Sequence, residues 1–195
     1  MTTAFVICVI VLISLYLFRI YRQLIFLLTE HKNAFVEIER ELKRRHDLIP
    51  RFVEIAKVYL SDESQTLQTV VKARNSAVYH LKKAQANPEN ATTMAALNQA
   101  EDSLSSAMGG FNLIIEDYLD LKANKTMITL HKELMATEKN MSLRQKIYND
   151  SAQVYNEYRE FFPNVFVANN TGHSENVTLL AFSDSQFIKE ALKIS

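Results

Sequence analysis

Tryptophan is absent from this chain, cysteine occurs once, and glycine and proline occur three times each. The lone cysteine, Cys8, excludes an internal disulfide and a multi-cysteine metal site. Average usage is about 7% Gly and 5% Pro, so this scarcity argues against turn-rich β architecture and for long uninterrupted helices. Neither sign of charge is in excess, with 22 basic and 22 acidic residues. No global field therefore draws the chain to nucleic acid, and with few aromatics there is no base-stacking platform. The histidines His31, His46, His80, His131 and His173 form neither an i, i+4 pair nor an HExxH pattern. A Gly-rich phosphate loop and a nucleophile elbow are missing too, so no catalytic, cofactor-binding or metal-ligating residue is expected, and no cofactor. His46 beside Asp47 is the best acid–base candidate, yet helix neighbours point about 100° apart and do not share a proton easily. An enzyme is not the expected reading.

One long apolar run is present. Residues 4–18, AFVICVIVLISLYLF, carry no charge. With Met1–Thr3 they make roughly 27 Å of helix at about 1.5 Å per residue, nearly a hydrocarbon core. A basic leader and a small-x-small cleavage site are missing, which predicts a retained anchor rather than a removed signal. Arg19, Arg22, Lys32, Arg40, Lys43, Arg44 and Arg45 follow the run and none precedes it. Basic flanks stay in the cytosol. The expectation is a single-pass inner (cell) membrane protein with residues 1–3 outside, a transmembrane helix and interface over 4–23, and a cytoplasmic remainder.

From residue 28 the apolar residues fall into heptads. Leu28, Phe35, Leu42, Ile49 and Ala56 form one series and Ile38, Phe52 and Tyr59 the other, which also contains His31 and Arg45. Leu67, Val70 or Val71, Ala77 or Val78, Leu81 and Ala84 make a second stripe, with Arg74 on its seam. Leu97, Ala100, Leu104, Ala107, Phe111, Ile114 and Tyr118 make a third, interrupted by Gly109 and Gly110, which mark a close helix approach or, less favoured, a flexible joint. Met127, Leu134, Met141, Tyr148, Tyr155 and Phe162 make a fourth, alternating with Leu130, Thr137, Arg144, Ser151 and Tyr158. Expected caps are a serine or aspartate in SDES, then Asn87 with Pro88, then Asp120 or Asn124. The pattern predicts an all-α protein, a long antiparallel four-helix bundle over 24–163 whose first helix continues the transmembrane helix. The tail, 164–195, reads as irregular, with Phe187, Ile188, Ala191 and Leu192 as one short amphipathic helix.

The stretch ELKRRHDLIP (41–50) places Arg45 on the buried seam, leaves Lys43, Arg44 and Asp47 outside as a candidate interaction surface, and puts Pro50 inside the helix, where a kink near the carbonyl of His46 is expected. An antiparallel first and fourth helix, with paired positions summing to roughly 184, brings Arg45 to Glu138. A buried guanidinium requires such an acceptor, and this pair is expected to fix register. Arg74 is assigned Glu101 or Asp102 as its acceptor. The same register puts Tyr158 and Phe161, with Tyr155 and Phe162, level with Leu24–Leu28, a membrane-proximal aromatic collar.

LKRRHDLIPRFVE, TLQTVVKARNSA, DLKANKTMITLHKELMATEKNM and IYNDSAQVYNEYREFFPNVFVA occur in that order over roughly residues 20–168. In this combination the chain resembles the LemA family. Phe35, Leu119 and the tail beyond Ala168 depart from the usual family pattern. The resemblance implies one N-terminal membrane helix and a cytoplasmic helical bundle, with a role in membrane organisation, since some members are associated with intracellular membrane compartments. The partners expected are the lipid bilayer and either an unidentified protein or a second copy. A membrane-anchored scaffold or adaptor is the leading function; a signalling or stress-sensing regulator of a membrane partner such as a protease is the alternative.

Overall fold

The computed structural model describes residues 1–182, and the short amphipathic helix expected at 187–192 lies outside them. The chain is all-α, with no strand among the described residues. Helix α1 runs unbroken over Thr2–Lys57 and is followed by a 3₁₀ turn (Ser61–Glu63), α2 (Ser64–Ala86) and α3 (Ala91–Asp117). A short α4 (Leu119–Ala123), a long α5 (Lys125–Glu160) and α6 (Asn164–Asn170) complete the order.

The caps differ from expectation at two of three helices. No side chain caps α2, whose start follows directly on the 3₁₀ turn. Asn90, not Asn87, caps α3 by accepting from the backbone N–H of Thr93. The residue three positions nearer the apolar stripe wins because the cap must sit one step before the first packed turn. Asn124 caps α5 as expected, accepting from Thr126 and Met127.

The closest helix pairings are α1 with α5 and α2 with α3, and α1 also packs on α2. Two large clusters fill the interior. One gathers Phe52, Val53, Val70, Leu104, Phe111 and Leu134, and the other Phe35, Ile38, Leu42, Leu97, Met141 and Tyr148. The first of them is tightened by Phe52 set edge-on against Phe111 at 5.8 Å. The heptad stripes are not buried throughout: Tyr59 and Phe162, at helix ends, are exposed, and Ala107, Ile114 and Tyr118 are only half-buried. A Cβ added at Gly110 would meet nothing within 4 Å, so no helix approaches closely there; Gly109 is buried.

The tail is more ordered than its sequence suggests. Residues 164–170 form α6, which packs against α1 and α5, and 174–182 run extended along the bundle with Val177, Leu180 and Phe182 buried. At the other extreme, every residue from Met1 to Arg19 is exposed, and the first buried side chain of α1 is Ile20.

Candidate functional site

The stretch ELKRRHDLIP builds the centre of the molecule. Arg45 is 1% exposed and reaches three partners on two other helices. Its Nη1 lies 3.3 Å from Glu101 Oε2, its Nη2 donates to Ser105 Oγ at 3.0 Å, and Nη2 lies 3.4 Å from Glu138 Oε1. His46, one residue on, puts Nε2 2.8 Å from Glu101 Oε1. With Glu101 ionised, Nε2 is the nitrogen that carries the proton, because a carboxylate only accepts. Glu101 is fully buried and bridges Arg45 and His46, so three helices, α1, α3 and α5, meet in one ionic knot. Glu138 is therefore one of two carboxylates on Arg45, not its sole acceptor. Arg45 Nε is left without a hydrogen-bond partner among the described residues.

Arg74 does not reach Glu101 or Asp102, its expected acceptors. Its Nε donates to the backbone carbonyl of His46 at 3.0 Å, with Nη1 on Asn75 and Nη2 4.0 Å from Asp47. The reason is Pro50. The His46 carbonyl would take the N–H of residue 50, and proline has none. A guanidinium from α2 fills that vacancy and ties α2 to α1, which lets α1 run through Pro50 without interruption.

Two other seam residues behave differently from each other. His31 is wholly buried against Tyr148, with ring centroids 4.4 Å apart and Nδ1 3.2 Å from Ser151 Oγ. Burial holds its pKa down at about 4, so the ring is neutral at pH 7. Arg144, expected on the buried seam, is instead half-exposed and 3.7 Å from Glu37 Oε2 at the bundle edge. A long side chain can leave a seam position for the rim and keep its charge in water.

A second polar system holds the extended tail. Asn156 accepts from the N–H of Val177 at 2.9 Å and donates to its carbonyl at 3.0 Å. Asn149 grips Leu180 in the same two-handed way, at 2.9 and 2.8 Å. From α3, Asn98 donates to the Leu179 carbonyl and accepts from Ala181 N–H. The Tyr148 hydroxyl donates to the Thr178 carbonyl, and Arg159 secures Asn176 and the Ser174 carbonyl. The segment therefore lies between α3 and α5, which are not among the closely packed helix pairs.

A family model for the LemA family matches residues 34–195. The chain belongs to the LemA family. A search of curated proteins gives no match. Set on the structure, the LemA-like stretches fall on the two polar systems. Arg45, His46 and Pro50 come from one, Arg74 from the next, the Asn124 cap from the third, and the repeated Tyr-Asn of 148–149 and 155–156 from the last.

The remaining site residues of this LemA-family chain lie on its surface. Lys43, Arg44 and Asp47 are exposed, and Lys43 is paired with Glu39 at 2.5 Å. Arg45 faces the opposite way and is neutralised, so the three consecutive basic residues do not form one electropositive site. Tyr158 is half-buried and Phe161 is 72% exposed, beside Phe162 and Phe166 in the same condition. Ser105, Asn98, Asn149 and Asn156 escaped the sequence reading, although the seven-residue spacing of the last two places them on one face of α5, and Glu101 was read as a partner of Arg74 rather than of Arg45 and His46.

Proposed function

We propose that the chain is a single-pass, membrane-anchored scaffold or adaptor without enzymatic activity. In this reading α1, α2, α3 and α5 form an antiparallel four-helix bundle on the cytoplasmic side of the inner membrane, and the N-terminal part of α1 crosses that membrane. The observation that carries it is the bare stretch of α1. Phe5, Ile7, Ile10, Leu12, Leu15 and Phe18 are 57–71% exposed on a helix whose buried side chains begin at Ile20. Covering one such side chain is worth about 1.5–3 kcal/mol, and contiguous apolar patches of this size mark membrane or protein contact. This helix is the one among the described residues that is long and apolar enough to cross a bilayer.

The far end of α5 supports the same placement. Phe161, Phe162 and Phe166 are 72%, 71% and 61% exposed, and α6 packs on α1 around Ile20 and Leu24. These rings stand where the apolar helix meets Arg19 and Arg22, the level at which aromatic and basic side chains favour a headgroup region. Above them the polar systems order helices and leave the outer faces, including Lys43, Arg44 and Asp47, for a protein partner.

Carbonate extraction and protease protection test the reading. The protein is expected to stay in the carbonate-washed membrane, and its helical domain to be digested only when protease reaches the cytoplasmic face. Release by carbonate removes the anchor, and digestion in spheroplasts reverses the orientation.

A further inference from the structure

The tail segment is held as a ligand is held. Its backbone has no strand partner, and side chains of α3 and α5 supply the hydrogen bonds to Val177, Thr178, Leu179, Leu180 and Ala181. Three asparagines read the main chain, while the interior accepts Val177, Leu180 and Phe182 and leaves Leu179 and Ala181 exposed. Recognition of this kind depends on the extended peptide and on three side chains, and not on how that peptide is joined to the bundle. The joint itself is small: residues 171–173 turn through Gly172, at φ +83°, with Thr171 and His173 each donating to the Ala168 carbonyl.

We propose that the groove between α3 and α5 is a peptide-recognition site whose partner in trans is residues 174–182 of a second copy. Exchanging identical segments keeps every contact, so its cost is confined to the joint and to the loss of translational freedom. The inference rests on the membrane reading for one element only. Copies anchored by α1 share a plane and an orientation, which brings groove and segment to the same height and raises their effective concentration. The groove thereby supplies the self-association surface of the scaffold.

The test uses full-length chains in a Cys8→Ser background, two tags, and one membrane. One copy carries Ala95→Cys, an exposed position one turn from Asn98 that leaves the three asparagines intact, and the other Leu179→Cys, exposed beside the Asn98 hydrogen bond. A short bis-maleimide is expected to give a band with both tags. Leu180→Asp in the donor copy, or Asn149→Leu in the receiving copy, is expected to lower its yield at least five-fold. A band that survives both changes is side-by-side contact and overturns exchange. Its absence overturns exchange too, whether or not a chain carrying both cysteines crosslinks internally. Carbonate extraction of the same samples reports the anchor separately: retained protein without the two-tag band refutes exchange alone, and released protein refutes the membrane reading.

Discussion

The two long seams of α5 are closed by opposite means. Against α1, helix packs on helix, and Arg45 reaches Glu138 within a buried ionic knot that also takes in His46 and, from α3, Glu101. Against α3, which is not a close partner of α5, the segment 177–181 lies at one end of the seam, held by neutral amides at Asn98, Asn149 and Asn156. Charges bound to fixed partners define one register, because a slip leaves a buried charge unpaired. Amides that grip a main chain tolerate any side chain they do not touch. The first seam specifies the bundle, and the second admits a removable part.

The sharpest way to break this contrast is to remove the bridge. Glu101→Leu strands Arg45 and His46 in the interior, and urea denaturation is expected to show a loss of about 3–5 kcal/mol. Arg45→Met combined with Glu138→Leu should recover little, because Glu101 then lacks its cation. A full recovery would reduce the knot to the simple pair. On the other seam, Asn149→Ala removes two hydrogen bonds at about 1 kcal/mol each. The expected loss is about 2 kcal/mol, accompanied by rapid amide exchange at Leu180 while α1 amides stay protected.

His31 sharpens the comparison through pH. Its folded pKa of about 4 is depressed below the ordinary 6.5, so the unfolded chain binds the proton first and stability falls as pH drops through that window. Between pH 7 and 5 this amounts to about 2 kcal/mol. His131 and His173 are shifted the same way by burial. The comparison of wild type with His31→Phe isolates the His31 part, and an equal pH slope in both would exclude it. The smallest effect is expected at Arg74→Met, about 1–2 kcal/mol for the uncovered His46 carbonyl. The double change with Pro50→Ala should recover most of it, since an N–H returns to the ladder.

Much of the first seam was legible in the sequence. Heptad spacing places His31, Phe35, Ile38, Leu42, Arg45, Ile49 and Phe52 on one face, and all are buried. The antiparallel register brings Arg45 beside Glu138. Glu101 was assigned to Arg74 instead of Arg45 because it sits on a helix whose apolar stripe looks complete without it. The second seam was illegible for a different reason: a segment in a groove has no period of its own, and six Asn-x-Ser/Thr triplets, with Asn140 and Asn169 beside Asn90, Asn124, Asn149 and Asn176, look like chance. The last four named have structural roles. Those four are two caps and two parts of the clasp. Arg144 and Phe162 show the converse error, in which a heptad position near a helix edge or end opens to solvent.

The membrane placement of α1 is tested most directly by its single native thiol. Cys8 is exposed on the bare part of the helix, eleven residues before Arg19. A bilayer around residues 4–18 excludes a charged reagent from its hydrocarbon core, so a charged, water-soluble maleimide is expected to leave Cys8 unmodified in intact membranes and to label it fully after denaturation in SDS. Rapid labelling before SDS would place residue 8 in water and contradict the anchor.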